Sequence, residues 1–223
     1  MAGNIKKLIL LSKEWQLTKL LCQYGRRMEI TMYKKQMTLQ RIVCYLQLIA
    51  SALVFVYSLG LMTDLYDNKL NYYAENIESP MIAGTEVYYH MQGFNQQFTK
   101  VGIILILLAV SSFVFQNHAR RKYYIANYIT VIANTVAAAA ASVWAVNNIF
   151  TYKAQYLMID FEELKEYAEM FGFGYTDSLF WFDVCPYVFG FLLVITVFNV
   201  LNLIWKIVLM NAEKKLLAES KEV

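Results

Sequence analysis

YYIANYITVIANTVAAAAASVWAVNNIFTY, residues 123–152, runs for thirty residues without a charged side chain. A helix rising about 1.5 Å per residue needs about 20 apolar residues to cross the hydrocarbon of a bilayer, so this stretch is expected to be a transmembrane helix with length to spare for tilt. Asn127, Thr130, Asn134, Ala138, Ala141, Ala145 and Asn148 follow one another at steps of three or four and so share one side. The other side carries Ile125, Ile129, Ile132, Val136, Val143 and Phe150. Small residues let helix backbones approach closely in lipid, and amides there seek partners on neighbouring helices. The first side, with Ala138, Ala141 and Ala145 as its packing face, is therefore expected to meet protein and the second to meet lipid.

Outward from this helix the composition tells the same story. Hydrophobic residues make up 58% of the 223 and charged residues only 17%, a balance suited to an integral membrane protein rather than a water-soluble domain. The net charge of +3 is small, and nothing in its placement points to nucleic acid. Lys6 and Lys7 before Leu8 and Ile9 resemble the start of a signal peptide, but Ser12, Lys13 and Glu14 end the apolar run early, so this segment is expected to stay in the mature chain.

Four spans are expected, over about residues 42–62, 98–117, 124–150 and 184–205. The second reaches full length only if Lys100 carries its charge outward along its methylene stem, and Pro186 is expected in the first turn of the fourth, where its missing N–H costs little. Residues 1–40 form a basic juxtamembrane arm, 41–209 the membrane domain and 210–223 a charged tail. Of the twenty Lys and Arg residues, nine lie in the arm with Arg41, three in the turn at 117–124 and four from Lys206 onward. The loops at 63–97 (to Lys100) and 151–183 hold two each, yet carry twelve of the seventeen acids. Basic segments stay cytoplasmic, so the expected fold is an all-α four-transmembrane-helix bundle with both termini cytoplasmic and two extracytoplasmic loops. Tyr57, Tyr152, Trp181 and Trp205 fall near the span boundaries, as an interfacial aromatic belt would.

Given alternating span directions, Gln47, Ser51, Ser112, Asn127, Asn134, Asn199 and Asn202 all fall towards the cytoplasmic side. They are expected to form a polar seam of interhelical hydrogen bonds that fixes the helix register and binds nothing further, each bond being worth about 0.6 kcal/mol. In the second outer loop Leu157, Phe161, Leu164, Ala168 and Phe171 recur at helical spacing, with Asp160 and Glu163 as a capping-box pair and Gly172 and Gly174 at the end. This amphipathic helix is expected to rest on the outer end of the bundle or on the interface. Phe161, Leu164, Ala168 and Phe171 could alternatively face a docking partner.

Chemistry finds little footing. Cys44 and Cys185 are expected at opposite sides of the membrane, too far apart for a disulfide, whose Cα atoms must lie within about 7 Å. Glu86 and His90 share a helix face but lack a third ligand for a metal, and no phosphate-binding or hydrolase motif occurs. No enzyme activity, cofactor or metal is expected. The spans carry no ionisable group away from their ends, which leaves proton-coupled transport and voltage sensing without their usual machinery. The reading is a small auxiliary subunit of a larger membrane complex such as a transporter, with the bilayer and other membrane subunits, or further copies of itself, as partners. A homo-oligomeric carrier or channel for a neutral solute is one alternative, and a receptor signalling through the basic arm another. The Tyr, Asn, Lys and Ile usage suits an AT-rich genome and hence a bacterial plasma membrane. Sidedness is testable by protease digestion of sealed cells: residues 151–183 are expected to be cut from outside, and cleavage only after the cells are opened would reverse the topology.

Overall fold

The computed structural model describes residues 32, 34–62, 82–118, 125–172 and 174–219. The expected arm over residues 1–31, residues 63–81 of the first outer loop and the basic turn at 119–124 lie outside the described residues. Among the described residues the protein is all-helical: α1 Lys34–Leu61, α2 Glu86–His118, α3 Ile125–Tyr156, α4 Phe161–Phe171 and α5 Phe180–Glu219. α1, α2, α3 and α5 are each long and apolar enough to cross a membrane.

The helices overrun the expected spans because helix formation does not stop where hydropathy falls. α2 begins at Glu86, taking in Gln92, Asn95, Gln96 and Gln97, which the sequence reading assigned to a loop. α5 begins at Phe180, whose N–H donates to Ser178 Oγ at 3.3 Å, while the Ser178 N–H donates to Thr176 Oγ1 at 3.2 Å. Pro186 therefore lies in the second turn rather than the first. Without an N–H it cannot serve the carbonyl of Phe182, four residues earlier. α5 also continues through the expected tail to Glu219.

The chain divides into two compact units, Arg41–Val200 and a smaller one of the residues up to Gln40 with those from Leu201 onward. In the larger unit the helix directions follow from their contacts. Cys44 meets Gln116, Tyr57 meets Phe98 and Leu61 meets Asn95, so α1 and α2 are antiparallel. Ser112 meets Thr130 and Phe94 meets Tyr152, so α2 and α3 are antiparallel too. α5 runs against α1, with Trp181 at Tyr57 and Thr196 at Gln47. Below, the end holding Leu61, Tyr156 and Trp181 is the loop end and that holding Gln116, Asn127 and Asn199 the turn end.

Aromatic rings fill the interior towards the loop end. Phe98, wholly buried, stands at their centre, with ring centroids 5.8 Å from Tyr57 on α1, 6.3 Å from Trp144 on α3 and 6.0 Å from Phe189 on α5. Tyr57, expected in an interfacial belt, is instead buried and donates its hydroxyl to the Trp181 carbonyl at 2.8 Å. The reason is chemical: a phenol inside a membrane protein needs an acceptor, and the Trp181 carbonyl in the first turn of α5 lies within reach.

The loop end is capped by the chain itself. Gly84, at φ 86°, lies where a Cβ would come within 2.9 Å of the Ile159 backbone, and the Asp160 N–H donates to the Ala83 carbonyl at 3.4 Å. Asp160 caps α4 by accepting from the N–H groups of Glu162 and Glu163 at 3.2 and 3.1 Å. The expected reciprocal capping box is replaced, because the Asp160 N–H is turned to Ala83. Gly172 ends α4 in the left-handed conformation at φ 71°, donating its N–H to the Ala168 carbonyl.

The tightest contact at this end is between Gly60 and the Trp181 indole, where a Cβ on residue 60 would come within 2.2 Å of the ring. Gly60→Ala must displace Trp181 and is expected to destabilise the detergent-solubilised protein by about 1–3 kcal/mol. Gly190→Ala, with nothing within 4 Å of the new methyl, serves as the reference. It is expected to be neutral or stabilising by up to about 1 kcal/mol from helix propensity. Thermal unfolding of the two variants side by side checks both.

Candidate functional site

Towards the turn end the interior changes from rings to amides and hydroxyls. In the Arg41–Val200 unit Gln47, Ser51, Ser112, Gln116, Asn127, Asn134, Thr196 and Asn199 are all buried. α3 turns Asn127, Asn134, Ala138, Ala141 and Ala145 inward, while Ile125, Ile129, Ile132, Val136, Val143 and Phe150 stay on the surface. The buried positions on α1, α2 and α5 likewise recur every three or four residues, which places each polar side chain on the inward side of its helix.

Gln116 is the hub of the polar set. Its Oε1 accepts from Cys44 Sγ at 3.3 Å and its Nε2 donates to Asn199 Oδ1 at 3.3 Å, tying α2 to α1 and α5. Ser112 Oγ donates to the Thr130 carbonyl at 3.2 Å and so links α2 to α3. Thr196 Oγ1 lies 2.7 Å from the Leu192 carbonyl of its own helix and 3.5 Å from Gln47 Oε1. One hydroxyl proton cannot serve both acceptors, and the shorter contact takes it.

The seam expected from sequence is thus only partly closed upon itself. Asn134 is fully buried, yet among the described residues neither its Oδ1 nor its Nδ2 has a partner, and Ser51 Oγ and Gln47 Nε2 are also unpaired there. Asn134, expected in that seam, makes no side-chain hydrogen bond among the described residues. Asn202, expected in the same seam, belongs to the smaller unit. There its Oδ1 accepts from Gln36 Nε2 at 3.2 Å, and Gln36 also donates to Gln40 at 3.1 Å. Lys206, counted in the sequence reading with the cationic tail, is buried within that unit, as are Gln36, Gln40 and Asn202.

Sequence reasoning overlooked Gln116, Gln36, Gln40 and Asn95. Gln116 was within reach, because it follows Ser112 by four residues and so lies on the same helix side. Asn95 donates Nδ2 to the Leu61 carbonyl at 3.0 Å, satisfying a buried carbonyl at the C-terminal end of α1; only the tertiary pairing of the two helices reveals that role.

The expected docking face divides differently. Leu164 and Ala168 are buried and Phe161 lies 5.2 Å from Tyr156, ring to ring, so these three rest on the chain's own loop end. Phe171 is exposed, and so are Leu157, Met158 and Met170. Lys153 and Asp183 join α3 to α5 by an ion pair of 2.6 Å at the solvent-accessible loop end. Among the described residues no group of three or more His, Cys, Asp or Glu side chains is placed to hold a metal. His90 is exposed, and its carbonyl accepts from Tyr152 at 3.2 Å.

Comparison with protein-family models, with curated proteins and with solved structures returns no match. Class therefore rests on the chain's own physics: four long apolar helices make it a multi-pass membrane protein.

The roles of the polar side chains differ enough to test. Gln116→Leu strands Asn199 Oδ1 without its donor and is expected to cost about 1–3 kcal/mol in detergent. Ser111→Ala loses only a bond from Oγ to the Leu107 carbonyl of its own helix at 2.8 Å. It is expected to stay within about 0.5 kcal/mol of the parent. Unfolding curves with equal shifts would show that Gln116 is not the hub.

Proposed function

We propose that the protein is a small non-catalytic subunit of a larger membrane complex, such as a transporter, in a bacterial plasma membrane. On this reading the four long helices form a bundle with both termini cytoplasmic, the loop end facing outside and the turn end near the cytosol. The observation that carries the proposal is the aromatic layer. Phe98, Tyr57, Phe189 and Trp144 occupy the interior between the four helices, where a solute path through a single chain would have to run. A chain filled in this way is suited to packing, not conduction.

The loop end adds support. Met158, Met170 and Phe171 are exposed next to Glu162, Glu166 and Glu169, outside the segment of α3 that would lie in lipid. Large apolar side chains set among acids on an aqueous surface suit contact with another protein. The buried polar layer favours a second reading, a carrier of a neutral solute, because Asn134 offers a donor and an acceptor that nothing among the described residues uses.

Mild-detergent purification from native membranes separates the two. A subunit is expected to copurify with one stoichiometric membrane partner and, reconstituted alone, to give liposomes no added permeability to urea or glycerol. Monodisperse isolation without a partner, together with flux abolished by Asn134→Leu, would favour the carrier.

A further inference from the structure

In the turn-end half of the Arg41–Val200 unit, six buried side-chain atoms have no partner among the described residues: Gln47 Nε2, Ser51 Oγ, Asn127 Oδ1, Asn134 Oδ1 and Nδ2, and Asn199 Nδ2. Their residues come from α1, α3 and α5, and each is at most 3% exposed. Helix pairing brings them to neighbouring levels. Cys44, Gln116 and Asn199 are joined by hydrogen bonds, Gln47 meets Thr196, and Ser112 meets Thr130. Ser51 lies one turn beyond Gln47 and Asn134 one turn beyond Thr130, in both cases towards the loop end, so these two stand at similar levels, with Ala138 and Ala141 buried between Asn134 and the ring layer.

We infer that this layer is a binding site for small neutral molecules that both donate and accept hydrogen bonds, water or a small amide such as urea. The argument is one of complementarity. Amide N–H groups from three helices face the same interior as an amide oxygen and a hydroxyl, so an anion would meet Asn134 Oδ1 and a cation the amide hydrogens. Turning the Asn134 amide over changes nothing, because both of its polar atoms are unpaired. The described buried residues of this unit include no charged side chain that would compensate an ion. In a span these atoms have no bulk solvent to turn to, and because Asn127 and Asn134 are two turns apart, about 10 Å along α3, several small occupants with two to four hydrogen-bonding positions each are needed to satisfy them. The ring layer, with Phe98 at its centre, stops the site from continuing to the loop end. The site therefore binds without conducting, and this inference stands apart from the proposed subunit role.

Thiol chemistry tests it, because maleimides react with the thiolate and a thiolate forms only where water reaches it. The full chain, reconstituted in liposomes with Cys22→Ala, Cys44→Ser and Cys185→Ala, would carry a single reporter. Ser51→Cys and Thr196→Cys are close in size to the parent side chains and report on the layer. Val54→Cys and Ala145→Cys, both from wholly buried positions nearer the loop end, are references. N-ethylmaleimide is expected to label the layer reporters about tenfold faster or more than the references, with all four labelled fully after unfolding in detergent. Adding Asn134→Leu is expected to bring the Ser51→Cys rate down to that of Val54→Cys. Slowing by added urea would identify a small amide as an occupant, and labelling unaffected by urea would identify water. Layer reporters as inert as the references, or a Ser51→Cys rate unmoved by Asn134→Leu, would overturn the inference.

Discussion

Phe98 is a side chain that every long helix of the larger unit accommodates. It belongs to α2 and lies in ring contact with α1, α3 and α5, so any shift of one helix against the others is felt there. In lipid no solvent drives apolar groups together, and helices are held by dispersion between well-fitted surfaces. A large flat ring meeting three other rings supplies many such contacts. Tyr57 then adds direction to an otherwise apolar fit, because its hydroxyl must reach the Trp181 carbonyl to be satisfied.

The two halves of the larger unit solve the same problem by different means. At the loop end shape decides: rings interlock, Trp181 lies against Gly60, and α4 covers the end by burying Leu164 and Ala168. At the turn end valence decides: Gln116 joins three helices through two bonds, and what remains unpaired around Asn134 sets the chemistry of whatever fills the space. Both halves present aliphatic side chains outward, as the exposure of Leu53, Leu107, Val136 and Val197 on the four long helices illustrates. The interior can differ from end to end while the surface keeps one solvent.

Much of this was readable beforehand, and the reasons are specific. The sides of α3 could be told apart because Asn and Ala recur at the helical period over a stretch without charge, a signal contained in one segment. The existence of four spans followed from the same kind of local count. Helix limits did not, since hydropathy marks where lipid could be and says little of where helix begins, which is how the polar start of α2 and the turn of α5 before Pro186 escaped notice. Phe98 looked like the edge of a span, and its place as the meeting point of four helices exists only in tertiary contact. Likewise the sequence showed that Asn134 faces inward, but whether an inward amide finds a partner depends on side chains brought from other helices.

The contact of Trp181 with Gly60 and Tyr57 bears on how the chain is made. α1 supplies the glycine notch and the phenol, whereas the indole and carbonyl that cover them arrive with α5, the last of the long helices to emerge from the ribosome. Without α5 the Gly60 notch and the Tyr57 hydroxyl would lack their cover. A nascent chain arrested before α5 would therefore leave that notch and phenol open to lipid or to whatever insertion factor shelters them.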